Sequence, residues 1–280
     1  MTYKDIFDNG RIKLERAGIA EAKLDARLLL EYVCGTKQSD LIVHPDREVT
    51  SKEEEEYYRL IDRRSKREPV AYILGSWEFM GIDFKVGRDV LIPEQDSEFL
   101  VEEALRVMQD GFRVLDLCTG SGCIALSILN YTNDTFAVCT DISENALKIA
   151  GCNADSLGLL DRAEFIGTDL FPEEDGSKFD VIVSNPPYIA SEVIEKLQPE
   201  VRDYEPRLAL DGDSDGLAFY RRIIRDAGRY LFSSGFLILE IGYDQAEAVT
   251  ALMNEEGHYH EIEVIKDFSG NDRVVKACYF

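Results

Sequence analysis

The chain is 280 residues long, with 54 acidic residues against 31 basic ones and a formal charge of −23. Its hydrophobic share of 45% is enough to build a sizeable core in one or two domains and excludes a disordered polymer. Affinity for nucleic acid comes mostly from Lys and Arg contacts to phosphate, so with so acidic a surface no direct nucleic-acid binding is expected.

No run of about 18 uncharged apolar residues occurs, so no membrane-spanning helix is expected. The opening MTYKDIFDNG has neither the basic start nor the apolar core of a signal peptide. Cys34, Cys118, Cys123, Cys139, Cys152 and Cys278 form no C-x-x-C pair. Most sit in apolar segments, where a free thiol behaves as a small hydrophobe, and a reducing, cytoplasmic setting is expected. His258 and His260 lie close together, but no third ligand is evident and no metal site is expected.

Residues 1–69 read as a helical domain. In AKLDARLLLEYV (22–33), Leu24, Leu28 and Leu29 with Ala26 and Tyr32 make one broad apolar face. TSKEEEEYYRLIDRRSKREP (50–69) opens with Ser51 and Glu54 at capping-box spacing and stops at Pro69. Its basic stretch RLIDRRSKREP reads as a solvated helix face. From 70 to 95, Gly75, Gly81 and Gly87 punctuate short β-rich runs, which predicts a β-hairpin linker between two domains.

Residues 96–280 alternate strand and helix. Strand candidates are FRVLDL (112–117), FAVCTD (136–141), AEFIGTD (163–169), FDVIVSN (179–185), GFLILEIG (235–242), IEVIKD (262–267) and RVVKACYF (273–280). Helical stretches between the first five imply a doubly wound, mostly parallel sheet. The last two strands are joined only by FSGN, too short for a parallel crossover, so they should be antiparallel. A seven-stranded α/β sheet of this kind resembles the fold of S-adenosylmethionine-dependent methyltransferases.

The first strand of that sheet ends in DLCTGSGCIA (116–125). Gly120 and Gly122 lack Cβ atoms and allow a ligand close to the backbone. Asp141 ends the second strand 19 residues after Gly122, where a carboxylate can accept from a ribose diol. GSGCIA also satisfies the dinucleotide fingerprint, and a glycine turn that only packs helix on sheet remains open. Two features favour S-adenosyl-L-methionine: Asp116 could hold its ammonium group, and Asp169, with Leu170 and Phe171 beside it, suits an adenine ring.

The fourth strand ends at Asn185, followed by Pro186, Pro187 and Tyr188. Ligands of open parallel sheets bind at the carboxyl ends of the strands, so Asn185 should face the same crevice as Gly120. Pro186 confines Asn185 to extended geometry, and neither proline carries an N–H. The amide oxygen of Asn185 and the carbonyl of Pro186 could take the two hydrogens of a carboxamide nitrogen, aligning it with a methyl donor. Tyr188 could stack on the planar amide and face a sulfonium.

This N-P-P-Y motif resembles that of methyltransferases acting on planar amide or amine nitrogens, in two branches: protein glutamine N5 and DNA adenine N6. EPVAYILGSWEFMG, VLIPEQDSEFLVE, DLCTGSGCIALSI, DISENAL, EVRDYEPRLALDGDSDGLAFYRRII and LEIGYDQ, in this order, are similar to blocks of the peptide chain release factor N5-glutamine methyltransferase family, from about Asp25 to the C-terminus. The resemblance implies that Cys118, Thr119, Gly120, Ser121 and Gly122 line the methionine part of S-adenosyl-L-methionine. It implies that Asp141 holds the ribose, that Asp169 and Leu170 flank the adenine, and that Asn185, Pro186, Pro187 and Tyr188 hold the substrate glutamine. It further implies that this glutamine belongs to the Gly-Gly-Gln motif of peptide chain release factors, which the helical domain grips away from the tip. Another protein glutamine, as in a ribosomal protein, and a DNA adenine are the alternative substrates. The chain departs from the family pattern at Cys118, where glycine is usual, and at Glu94-Gln95-Asp96, where arginine then Pro-Asp is usual.

Overall fold

The computed structural model describes residues 1–280. It divides into two compact units, residues 1–76 with 198–204, and residues 77–197 with 205–280.

The first unit is helical: α1 (Tyr3–Arg16), α2 (Ala22–Cys34), α3 (Gln38–Val43), α4 (Ser51–Ser65) and α5 (Val70–Leu74), with a further short helix at Pro199–Tyr204. The cap of helix α4 is Thr50, one residue before the expected Ser51. The Thr50 hydroxyl accepts from Glu53 N at 3.2 Å, and the Glu53 carboxylate accepts from Thr50 N at 2.7 Å. Both Thr50 and Ser51 suit an N-cap, and the Glu53–Glu56 run offers a partner to either. The apolar face of α2 is also rotated from expectation. Ala22, Ala26, Leu29 and Leu30 are buried, whereas Leu24 and Tyr32 are exposed. Asp25 shares the buried face because its Oδ2 accepts from Arg64 Nε at 2.6 Å. Arg64 and Arg67 also hold Glu200 from the 198–204 segment, at 3.0 and 3.2 Å. The basic stretch of α4 is thus tied to carboxylates: Arg59 to Glu56 and Arg63 to Glu68, each through two hydrogen bonds.

The segment read as a linker begins with a helix, α5, whose Gly75 C-cap adopts φ 78°. The hairpin β1 (Ser76–Phe79) and β2 (Ile82–Lys85) follows. Phe79, Ile82 and Phe84 are buried in the core of the second unit. Asn153 clamps β2 by accepting from Lys85 N at 2.7 Å and donating to Lys85 O at 3.1 Å.

The second unit continues with α6 (Glu98–Val107), β3 (Arg113–Leu117), α7 (Cys123–Tyr131), β4 (Phe136–Asp141), α8 (Glu144–Leu157), β5 (Ala163–Gly167) and β6 (Phe179–Ser184). Short helices α9 (Ser191–Ile194) and α11 (Arg207–Leu210), between which the chain passes through α10 (Pro199–Tyr204) of the first unit, precede α12 (Ala218–Ala227), β7 (Leu231–Glu240), α13 (Ala246–Glu256), β8 (Tyr259–Lys266) and β9 (Asp272–Tyr279). Strands β3 to β9 form one sheet in the order β5-β4-β3-β6-β7-β9-β8. β9 runs antiparallel to both its neighbours, and all other pairs are parallel.

Alternation along each strand sends side chains to two cores. Val114, Ala137, Val181, Val183 and Ile238 meet α6, α7 and α8 on one face. Leu115, Val138, Ile182, Leu237 and Leu239 meet α12 and α13 on the other. Helix α12 shows why it docks: Tyr220, Ile223, Ile224 and Ala227 are buried at i, i+3, i+4 and i+7, with arginines on the opposite side. Each such buried aliphatic contributes about 1.5–3 kcal/mol. This sheet order places the site, because the chain turns one way from β3 to β4 and the other way to β6. The carboxyl ends of β3 and β6 therefore diverge into a crevice.

Candidate active site

The crevice is a cleft open to solvent at its mouth. Its floor is the turn after β3. Leu117 pairs with Ser184 in the sheet, so the residues that follow, Cys118 and Asn185, enter the cleft side by side. Cys118, Thr119, Gly120 and Ser121 line it, as do Asp141, Asp169, Leu170, Asn185 and Pro187.

The turn is held from below. Asp141 Oδ2 accepts from Gly120 N at 2.9 Å and Oδ1 accepts from Ser143 N at 2.8 Å, so this carboxylate ties the β3 turn to the start of α8. Each oxygen keeps a lone pair for a further donor. A Cβ on Gly120, at φ 57°, would meet nothing within 4 Å, so its backbone is open to a ligand. Cys118 and Leu170 adopt φ 61° and 72°, conformations that side chains rarely hold, and both sit on the cleft wall. Asp169 lies past the end of β5, half in solvent, with an ion pair to Arg222 at 2.8 Å.

Four expected site residues sit elsewhere. Gly122 does not line the cleft. Its Cβ would lie 3.0 Å from Leu126 Cδ1 and 3.1 Å from Ala150 Cβ, so this glycine serves the packing of α7 on α8. Asp116 is fully buried behind the wall. Its Oδ2 accepts from the Thr119 hydroxyl at 2.5 Å and its Oδ1 has no partner. Burial pushes its carboxyl up to about 7, with the Thr119 hydroxyl pulling the other way. In this structure Asp116 holds Thr119, the neighbour of the open Gly120 backbone, and does not line the cleft. Pro186 and Tyr188 are also off the wall, for a geometric reason. In an extended chain alternate residues face opposite ways, so Asn185 and Pro187 face the cleft while Pro186 and Tyr188 face away. Tyr188 packs instead against the core shared with α12 and α13, and its hydroxyl donates to Glu240 Oε1 at 3.4 Å.

Several residues absent from the sequence reading complete the site. Ser97, just before α6, accepts from Asn185 Nδ2 at 3.1 Å. Val90, Leu91, Pro93, Ile142 and Phe219 form apolar walls. Leu210, the DGDSDG loop (211–216) and Gln245 together brace the end of the Asn-Pro-Pro-Tyr segment. Ile189 N donates to Leu210 O at 3.0 Å, Gly212 N to Ile189 O at 2.8 Å, and Gln245 Nε2 to Tyr188 O at 3.0 Å. A Cβ at Gly212 would lie 2.8 Å from Tyr188 Cα, so only glycine allows this approach. The recurrence of Asp-Gly in LALDGDSDGLA marks such a loop, but nothing local says which segment it contacts.

The donor set fits S-adenosyl-L-methionine: an open glycine backbone, a two-oxygen acceptor at Asp141 and apolar walls for an adenine. The chain matches the PrmC N-terminal domain over residues 5–75 and the methyltransferase small domain over residues 94–200. It is 41% identical to a release factor glutamine methyltransferase of Agrobacterium fabrum, over 95% of this chain and 93% of that one. It is 42% identical to one of Clostridium acetobutylicum, over 90% of each chain. Among solved structures it resembles a methyltransferase from Pyrococcus furiosus, with a TM-score of 0.51 and 18% identity over 71% of this chain and 89% of that one.

Proposed function

Because the chain belongs to the release factor glutamine methyltransferase family, we propose that it transfers a methyl group from S-adenosyl-L-methionine to N5 of the glutamine in the Gly-Gly-Gln motif of peptide chain release factors, in the cytoplasm. The single observation that carries this reading is the setting of Asn185. Its Nδ2 is committed to Ser97, which leaves Oδ1 as the acceptor it offers beside the β3 turn.

A carboxamide nitrogen is a poor nucleophile because its lone pair is delocalised into the carbonyl. Asn185 Oδ1 takes one of its hydrogens, orients it and favours the pyramidal nitrogen of the transition state. S-adenosyl-L-methionine, when bound by Cys118–Ser121, Asp141, Asp169 and Leu170, supplies an electrophilic methyl on a sulfonium. The nitrogen that accepts the methyl would shed one proton to solvent at the cleft mouth to restore the planar amide. Pro187 and Phe219 add apolar surface to the cleft wall.

A different protein glutamine and a DNA adenine are less favoured. The relatives are release factor enzymes throughout nearly the whole chain, and a charge of −23 opposes DNA. Labelled methyl transfer to purified release factors, ribosomal proteins and DNA in parallel tests the reading. Incorporation into release factors alone is expected, and incorporation into either other class instead would overturn it.

A further inference from the structure

Helix α12 carries Arg221, Arg222 and Arg225 away from its buried face. Arg221 pairs with Asp215 of the bracing loop and Arg225 with its neighbour Asp226, each at 2.6 Å. Arg222 reaches the cleft wall instead, where its Nη2 lies 2.8 Å from Asp169 Oδ2. Its Cζ also stands 5.8 Å from the ring centroid of Phe219, a cation–π distance, and Phe219 lines the same wall. One guanidinium thus touches both the acid and the aromatic ring. A half-exposed ion pair adds little to folding, and α12 is already docked by Tyr220, Ile223, Ile224 and Ala227. Stability does not account for the contact.

The backbone beneath Asp169 is fixed without Arg222. The Thr168 hydroxyl donates to Phe171 O at 2.9 Å, Leu170 is buried, and Phe171 stacks on Tyr230 with ring centroids 4.7 Å apart. What this leaves to be set is the rotation of the carboxylate, a torsion with broad freedom, and Arg222 sets it by occupying Oδ2. Oδ1 is then the oxygen left for a ligand. A carboxylate can only accept, and the donor that adenine offers on its base edge is the exocyclic amine.

We propose that Arg222 is a positioning residue for the adenine of S-adenosyl-L-methionine, orienting Asp169 to accept from that amine and so making the cleft select a base that carries it. The proposal rests on the reading above that Asp169 flanks the adenine.

The test is calorimetry with S-adenosyl-L-homocysteine and with its purine analogue, which has hydrogen in place of the exocyclic amine. Neither compound carries a transferable methyl, so no turnover intervenes, and the quantity read is the ratio of the two affinities. A hydrogen bond to a charged acceptor predicts that the wild-type protein prefers adenine by about ten- to a hundredfold. Arg222→Ala should lower that preference about three- to fivefold, as the loss of one exposed pair implies. Arg222→Lys keeps the charge and should restore part of it. Arg225→Ala removes a charge from the same helix without touching the cleft and should keep the full preference. In an Asp169→Ala background, Arg222→Ala should change the ratio no further. An Arg222→Ala protein with the wild-type ratio overturns the proposal. So does an equal fall in Arg225→Ala, or a further fall in the Asp169→Ala background. Asp169→Ala alone separates the two readings. If it loses the preference while Arg222→Ala keeps it, Arg222 alone is removed, and if it keeps the preference, the adenine reading beneath is removed as well.

Discussion

Cys118 pays for its place in the turn with backbone strain. A side chain at φ 61° costs about 1–2 kcal/mol, which is why glycine suits this position. Glycine in turn gives the unfolded chain more freedom, by about 0.5–1 kcal/mol. Cys118→Gly should therefore change stability by no more than about 1 kcal/mol and leave cofactor affinity intact, as thermal unfolding and calorimetry would show. A large loss of affinity would mean that the thiol itself contacts the cofactor. Asp141 behaves differently because it has two tasks. Its oxygens hold Gly120 N and Ser143 N and, by the proposed reading, a ribose. Asp141→Ala should weaken cofactor binding by about 10- to 100-fold, the equivalent of roughly 1.5–3 kcal/mol, and should also lower the melting temperature because the turn loses its anchor. Unchanged cofactor affinity would remove Asp141 from the site.

The strands were legible in the sequence because most are short β-rich runs closed by a polar residue or glycine, and FAVCTD coincides with β4. The antiparallel β9 followed from the shortness of FSGN alone. Helix faces were less legible. Three consecutive leucines in α2 leave its phase ambiguous, and Asp25 is buried only because Arg64 arrives from α4. The cofactor turn could be found from glycine spacing, but not the division between Gly120, which is open to the cleft, and Gly122, which packs helices. Ser97 and Glu240 escaped because their partners lie 88 and 52 residues away in sequence, although a carboxylate at a strand's carboxyl end was an available signal. The bracing loop gives an element-level test. A Cβ at Gly216, at φ 73°, would lie 2.3 Å from the Tyr188 carbonyl oxygen, whereas one at Gly257, at φ 72°, meets nothing. Gly257→Ala should cost only the strain of about 1 kcal/mol. Gly216→Ala should cost roughly 2 kcal/mol more by overpacking and should slow methyl transfer by displacing the Asn185 segment. Equal unfolding midpoints for the two variants would show that the loop does not brace it.

At the scale of the molecule, 54 acidic groups against 31 basic ones set the response to pH and salt. Asp116 and Glu240 are both pushed up to about 7 by burial, above the usual carboxylate value of about 4. Below about pH 4 they are protonated in both states; as pH rises toward 7 the unfolded chain releases protons that the fold retains. The stability they contribute is thus present in acid and lost as pH rises through the folded values, and self-repulsion acts in the same direction. The melting temperature should fall from about pH 5 to about pH 8 and recover at pH 8 when salt is raised to about 0.5 M. A melting temperature at pH 8 that is no lower than at pH 5 and indifferent to salt would contradict this. The central claim is that Asn185 presents a release-factor glutamine to the methyl donor. Its most direct test is mass-spectrometric mapping of the methyl after a single turnover on a release factor, with wild-type and Asn185→Ala enzymes at saturating cofactor. The predicted result is one methyl on the Gly-Gly-Gln glutamine, formed on the order of 100-fold more slowly by Asn185→Ala with cofactor affinity preserved. A methyl on another residue, or a near-normal rate for Asn185→Ala, would contradict it.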